Sequence, residues 1–191
     1  MVVKKEIEPM PVYQLKVTLD GIRPPIWRRI QVREDVTLFK LHKILQAVMG
    51  WEDYHLHQFI VGDEYYTIPS PDDPWPMENK NEKRARLFQV VCAEKDRFIY
   101  EYDFGDSWYH NILVEKIFCP EEELKHPVCL AGRRATPPED CGGIGGYDEF
   151  LKAVLDPKHP DHEDMLDWAE GEFDPERFNK EEINRLLSRI K

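Results

Sequence analysis

Long apolar runs are missing from this chain of 191 residues, and so is any excess of positive charge. No stretch approaches the roughly 20 apolar residues that a helix needs to cross a bilayer. With 37 acidic against 26 basic residues the formal net charge is −11, which opposes non-specific attraction to nucleic acid or to an anionic membrane. Two local groupings, Arg23, Arg28, Arg29 and Arg33, and Lys80, Lys83, Arg84 and Arg86, read as solvated faces. The opening Met1-Val-Val-Lys-Lys-Glu6 has no signal-peptide core, so the sequence leads us to expect a cytoplasmic address and no membrane. Cysteine is scarce. Cys92, Cys119, Cys129 and Cys141 have neither the density of a disulfide scaffold nor paired C-x-x-C knuckles, and are expected to be thiols. No His-Glu-x-x-His or comparable metal-ligand spacing occurs.

What the chain does have is a concentrated run, Phe98-Ile-Tyr-Glu-Tyr-Asp-Phe-Gly-Asp-Ser-Trp-Tyr-His-Asn-Ile-Leu-Val-Glu115. It reads as two strands folded about Gly105-Asp106, a favoured two-residue hairpin loop. That turn would set Phe104 opposite Ser107, Asp103 opposite Trp108 and Glu101 opposite His110. Alternation then puts Glu101, Asp103, Trp108 and His110 on one side, and Phe98, Tyr100, Tyr102, Phe104, Tyr109 and Leu113 on the other as a core face. A histidine beside two carboxylates at a turn is a pocket candidate; equally, it is an ordinary polar pair around a tryptophan.

Val12–Leu19 alternates cleanly, with Tyr13, Leu15, Val17 and Leu19 lining a buried face. The turn at Asp20–Pro25 leads into an antiparallel partner, Ile26–Val32. Thr37 caps a helix to Met49 whose apolar positions follow the helical period, and Gly50 stops it. Hairpin then helix is a β-grasp-like opening. Strands follow near His57–Val61 and Glu64–Ile68, and the proline-rich, charged stretch Pro69–Arg86 reads as an exposed excursion. Within Pro127–Gly146, the stretch Pro137–Gly146 is too rich in Pro and Gly for a regular element, and helices are expected at Tyr147–Leu155, Glu163–Ala169 and Lys180–Ile190. The expectation is one α+β domain over residues 1–191. Residues 12–118 would form a mostly antiparallel sheet and main helix, and residues 119–191 the Gly/Pro-rich loop and C-terminal helices.

Several groups carry chemistry. His55, His57, Asp103, Asp106 and His110 are ligand types for a divalent metal able to activate water, and Cys119, Cys129, Cys141 with His126 offer thiolate and imidazole for zinc. Packing around Trp51 and Tyr54 is the ordinary role for the first set, and small buried cysteines for the second. Gly142 and Gly143, ahead of a helix, expose N–H groups to an anion, although Asp148 and Glu149 would repel a phosphate. Gly105-Asp106-Ser107 and Asp156-Pro-Lys-His159 have the form of the GDSL-type esterase blocks. A serine at a hairpin turn is nonetheless not the strand-to-helix elbow that such an enzyme uses.

Together, Ile26-Trp-Arg-Arg29, Trp51 with His55-Leu-His57 and Phe59, Tyr102-Asp-Phe-Gly-Asp106 with Trp108 and His110, and Pro137-Pro-Glu-Asp-Cys-Gly-Gly143 with Gly146-Tyr147 resemble the plasmid pRiA-type ORF-three-like family, from about Tyr13 to Leu187. The resemblance implies an α+β domain of bacteria and archaea without an assigned activity. The transposon-passenger and resolvase-like labels of some members do not carry over, because this chain has no serine-recombinase motif and an acidic balance. The reading that follows is a binding module for a protein or a small ligand, with no catalysis, cofactor or nucleic acid. The alternative is a metal-dependent hydrolase built on the hairpin cluster.

Overall fold

The structure is a computed structural model that describes residues 9–69 and 79–190. Its centre is an eight-stranded sheet: β1 (Val12–Leu19), β2 (Trp27–Arg33), β3 (His57–Val61), β4 (Glu64–Thr67), β5 (Lys80–Asn81), β6 (Arg97–Tyr102), β7 (Trp108–Phe118) and β8 (Val128–Arg133). The strand order is β5-β4-β3-β6-β7-β1-β2-β8, and every pairing is antiparallel except β4 with β5. Five helices among the described residues accompany the sheet: α1 (Leu38–Met49), α2 (Leu87–Val90), α3 (Gly143–Leu155), α4 (His162–Trp168) and α5 (Lys180–Leu187). The fold is thus mixed, with a large and mostly antiparallel sheet.

Period-two alternation makes β1, and the residues expected on its inner face, Tyr13, Leu15, Val17 and Leu19, are buried. They meet α1 through Leu41, Ile44, Leu45 and Val48 in one continuous apolar cluster. The helix starts and stops as its sequence dictates. Thr37 accepts the Lys40 N–H, and Gly50 takes the left-handed conformation at the C-terminus. Two further N–H groups at its start, of Leu38 and Phe39, donate to the carbonyls of Ala85 and Glu82.

Three expectations fail in physically instructive ways. The stretch to Arg86 is no simple exposed excursion: residues 70–78 lie outside the described residues, but Lys80–Asn81 joins the sheet and Glu82 is fully buried. The segment after Pro127 is not all loop, since Val128–Arg133 pairs with β2 as an edge strand. Arg28 does not sit on a solvated face either. Its guanidinium is buried and donates to the carbonyls of Val48, Trp27 and Arg133 and to Thr136 Oγ1, so its positive charge sits at the negative end of α1.

The central correction is the hairpin. Tyr102 opposes Trp108, Tyr100 opposes His110 and Phe98 opposes Ile112, one residue away from the expected register. Asp103 and Ser107 both adopt left-handed backbone, with φ of 56° at each. Ser107 N–H returns to the Asp103 carbonyl at 2.6 Å, and Asp103 Oδ1 accepts the Gly105 N–H at 2.9 Å. The aspartate side chain thereby builds a five-residue loop in place of the Gly-Asp turn. A slip of one residue exchanges the faces of a strand. Here it buries Trp108, His110, Ile112 and Val114 with Phe98, Tyr100 and Tyr102, and turns Tyr109 and Leu113 away from the core.

Candidate functional site

His110 goes inward and leaves the expected pair behind. It is fully buried; its Nδ1–H donates to the Trp108 and Tyr100 carbonyls at 3.1 and 3.3 Å, and its Nε2 has no partner. Burial pushes its pKa down to about 4, so the ring is neutral at pH 7. Trp108 packs beside Trp51 in the core. Glu101, on the opposite face, accepts from Gln58 and Tyr109. The Glu101–His110 pair does not exist.

His57 points to the core face and stacks on His42 of α1, ring centroids 3.5 Å apart and planes 4° from parallel. Each imidazole meets a carboxylate. His42 Nε2 donates to Asp53 Oδ1 at 2.7 Å, and His57 Nε2 lies 3.0 and 3.1 Å from the two Glu82 oxygens. Tyr100 OH donates to His42 Nδ1 at 2.7 Å while accepting from Gln46 at 2.9 Å, an arrangement that requires neutral His42 with its proton on Nε2. Burial, aided by His57, pushes the His42 pKa down to about 3. Burial works to raise the Asp53 carboxyl, but Lys43 and His42 outweigh it and hold it below the ordinary value.

Beyond Tyr102 lies a second, more open group. His55 Nε2 is 3.1 Å from Asp140 Oδ1 and 3.7 Å from Asp103 Oδ2. The Asp103 N–H bonds the Leu56 carbonyl at 2.9 Å, tying the hairpin loop to the start of β3. Asp140 is brought in by the Pro137–Gly142 loop, which is clamped at several points. Trp51 Nε1 donates to the Pro137 carbonyl at 2.9 Å, Tyr102 OH donates to Glu139, and the Glu52 N–H bonds Glu139 at 2.8 Å.

The remaining candidates have structural occupations. Asp106 Oδ2 accepts the Gly142 N–H at 3.1 Å, so a side chain of this protein already occupies the place an anion would take at the start of α3. Gly143 is needed for close approach, since a Cβ there would lie 2.7 Å from the Asp106 carbonyl oxygen. Among the described residues, the ligand-type triads that gather are His42, Asp53, His57 and His55, Asp103, Asp140. His57 and His110 therefore do not join His55 and Asp103, and Cys119, Cys129, Cys141 and His126 do not form a cluster. Cys129 faces the core on β8, Cys119 is exposed, and burial with the nearby Asp106 pushes the Cys141 thiol up to about 12. The esterase-like blocks are likewise apart in role. His159 Nδ1 accepts the Asp161 N–H in the turn before α4.

Sequence reading missed His42, Asp53, Glu82 and Asp140. One of these had a signal. His42 and Gln46 stand four residues apart within the apolar stripe of α1, where a polar pair has to find buried partners.

The comparisons agree with this architecture. A solved structure, the crystal structure of a protein of unknown function, MM3350, from Methanosarcina mazei Go1, is 40% identical with a TM-score of 0.81, covering 90% of this chain and 97% of that one. The uncharacterized protein y4hQ of Sinorhizobium fredii (strain NBRC 101917 / NGR234) is 37% identical over 178 residues, 92% of this chain and 90% of the relative. The family model described as plasmid pRiA4b ORF-3-like protein matches residues 11–182, and the chain belongs to that family.

Proposed function

We propose that the protein is a non-catalytic binding module whose ligand enters the cleft between α3 and α4. The observation that carries this is the cleft itself, about 380 Å³ with a floor of Phe150, Ala153, Met165 and Trp168 and a rim that includes Glu149 and Asp161. Phe150 is buried, and the Trp168 ring meets it edge-on at 5.7 Å while remaining 45% exposed. An exposed indole over an apolar floor, in a protein of net charge −11, favours a ligand with an aromatic or apolar body and a cationic head. Lys152 already pairs with Asp148 and Glu149 on the outside of α3, which leaves Asp140 and Asp161 on the rim to face the ligand charge.

The test is titration of the full chain with tryptamine or phenethylamine beside phenylacetate, followed by calorimetry. Saturable binding of the amines but not of the carboxylate is expected, weakened roughly fivefold by Trp168→Ala, the scale of one cation–π contact. Equal binding of amine and carboxylate, or binding that ignores Trp168→Ala, refutes the cleft as the site.

A further inference from the structure

We infer that His55, Asp103 and Asp140 form a site for a divalent first-row transition ion. The three residues come from separate parts of the chain: the segment entering β3, the loop leaving β6, and the Pro/Gly-rich loop before α3. Their ligand atoms lie within 4.8 Å of one another. Bonds of about 2.1 Å to a tetrahedral or octahedral ion set neighbouring donor atoms about 3.0–3.4 Å apart. The observed separations from His55 Nε2, 3.1 Å to Asp140 and 3.7 Å to Asp103, need only a small contraction.

The orphaned imidazole nitrogen decides between this and a plain ion pair. His55 Nε2 is buried and makes no hydrogen bond, although two carboxylate oxygens stand beside it. An imidazolium would aim its N–H at one of them; a ring that approaches both without aligning to either suits a cation placed between the three. Charge points the same way. Among the described residues no lysine or arginine pairs with Asp103 or Asp140, whereas Asp53 has Lys43.

The donors are already oriented. Asp103 spends Oδ1 on the Gly105 N–H and keeps Oδ2 toward His55, the kind of outer hydrogen bond that fixes a ligating carboxylate. One imidazole and two carboxylates select zinc or manganese over calcium or magnesium, and leave coordination positions for water or a ligand oxygen. The site meets the α3–α4 cleft at Asp140, which lines both, whereas His55 and Asp103 lie outside the lining of the cleft.

Zinc and cobalt titrated into the full chain test it. We expect one equivalent of zinc to bind and cobalt to show d–d absorption without thiolate charge-transfer bands. Asp140→Asn should weaken binding at least about tenfold, the scale on which even outer partners of a ligand act. The Asp140 side chain is 70% exposed, so that variant keeps its fold, and His55→Gln should match it. Asp53→Asn, at the stacked histidines, should leave zinc affinity unchanged. The inference fails if no equivalent binds, if Asp140→Asn binds as tightly as the natural chain, if Asp53→Asn abolishes binding, or if thiolate bands appear.

Discussion

Buried imidazoles contribute to the acid sensitivity expected of this protein. Folded His42 titrates at about 3 and His110 at about 4, both below the value of about 6.5 for an unfolded histidine. As pH falls through 6.5 the unfolded chain takes up protons that the folded chain refuses, so stability is complete above that pH and declines toward pH 4. Chemical denaturation at pH 7.5 and 4.5 should show a loss of about 2 kcal/mol from His110 alone. His110→Gln should shrink that difference; a loss of stability independent of pH would contradict the reading. The stacked pair makes a second prediction. Tyr100→Phe removes the hydroxyl that serves both His42 and Gln46, and urea unfolding should register about 1–3 kcal/mol of destabilisation from the partners left bare. Much of this network was within reach of the sequence, because a histidine and a glutamine in the buried stripe of α1 must bond to something. Glu82 was not, since a glutamate in a charged run gives no sign that its carboxylate turns inward. Asp140 gave none either, because its position depends on clamps from Trp51, Glu52 and Tyr102 that are far away in sequence.

At the scale of elements, legibility follows the strength of the local pattern. β1 and α1 appear where alternation, cap and stop residue put them, because local and tertiary preferences coincide there. The β6–β7 hairpin shows the limit: Gly-Asp promises a tight turn, yet the gain from burying Trp108, Ile112 and Val114 together with the Asp103 side-chain turn selects the neighbouring register. Helix α3 starts at Gly143, four residues before the expected start at Tyr147, and Gly143 and Gly146 serve close packing. That assignment is testable in one pair of variants. A Cβ at Gly146 would lie 1.8 Å from the Cys141 carbonyl oxygen, whereas one at Gly145 meets nothing within 4 Å. Gly145→Ala should be neutral or stabilise by up to about 1 kcal/mol through helix propensity, and Gly146→Ala should lower stability by about 3 kcal/mol. Equal melting temperatures for the two would show that the loop before α3 runs differently.

Across the whole molecule, the question is whether the C-terminal third is a unit of its own or a part of the sheet's core. Its composition, rich in proline and glycine and then in charged helices, differs from that of the sheet region, but its contacts are central. Asn184 of α5 clasps β8 by accepting the Cys129 N–H at 2.7 Å and donating to the Cys129 carbonyl at 3.0 Å. Leu187 is fully buried within the same apolar cluster as Leu15, Ile44 and Tyr100. Phe178 stacks under the Arg28 guanidinium, which itself holds the end of α1. An edge strand and a terminal helix fastened to α1 in this way should unfold with the sheet and not before it. Leu187→Ala should cost about 2–4 kcal/mol, and the loss should appear at the same denaturant midpoint whether followed by far-ultraviolet circular dichroism or by tryptophan fluorescence. A midpoint that moves for one probe alone would mean that α5 and β8 come away by themselves, and that the sheet keeps its core without them.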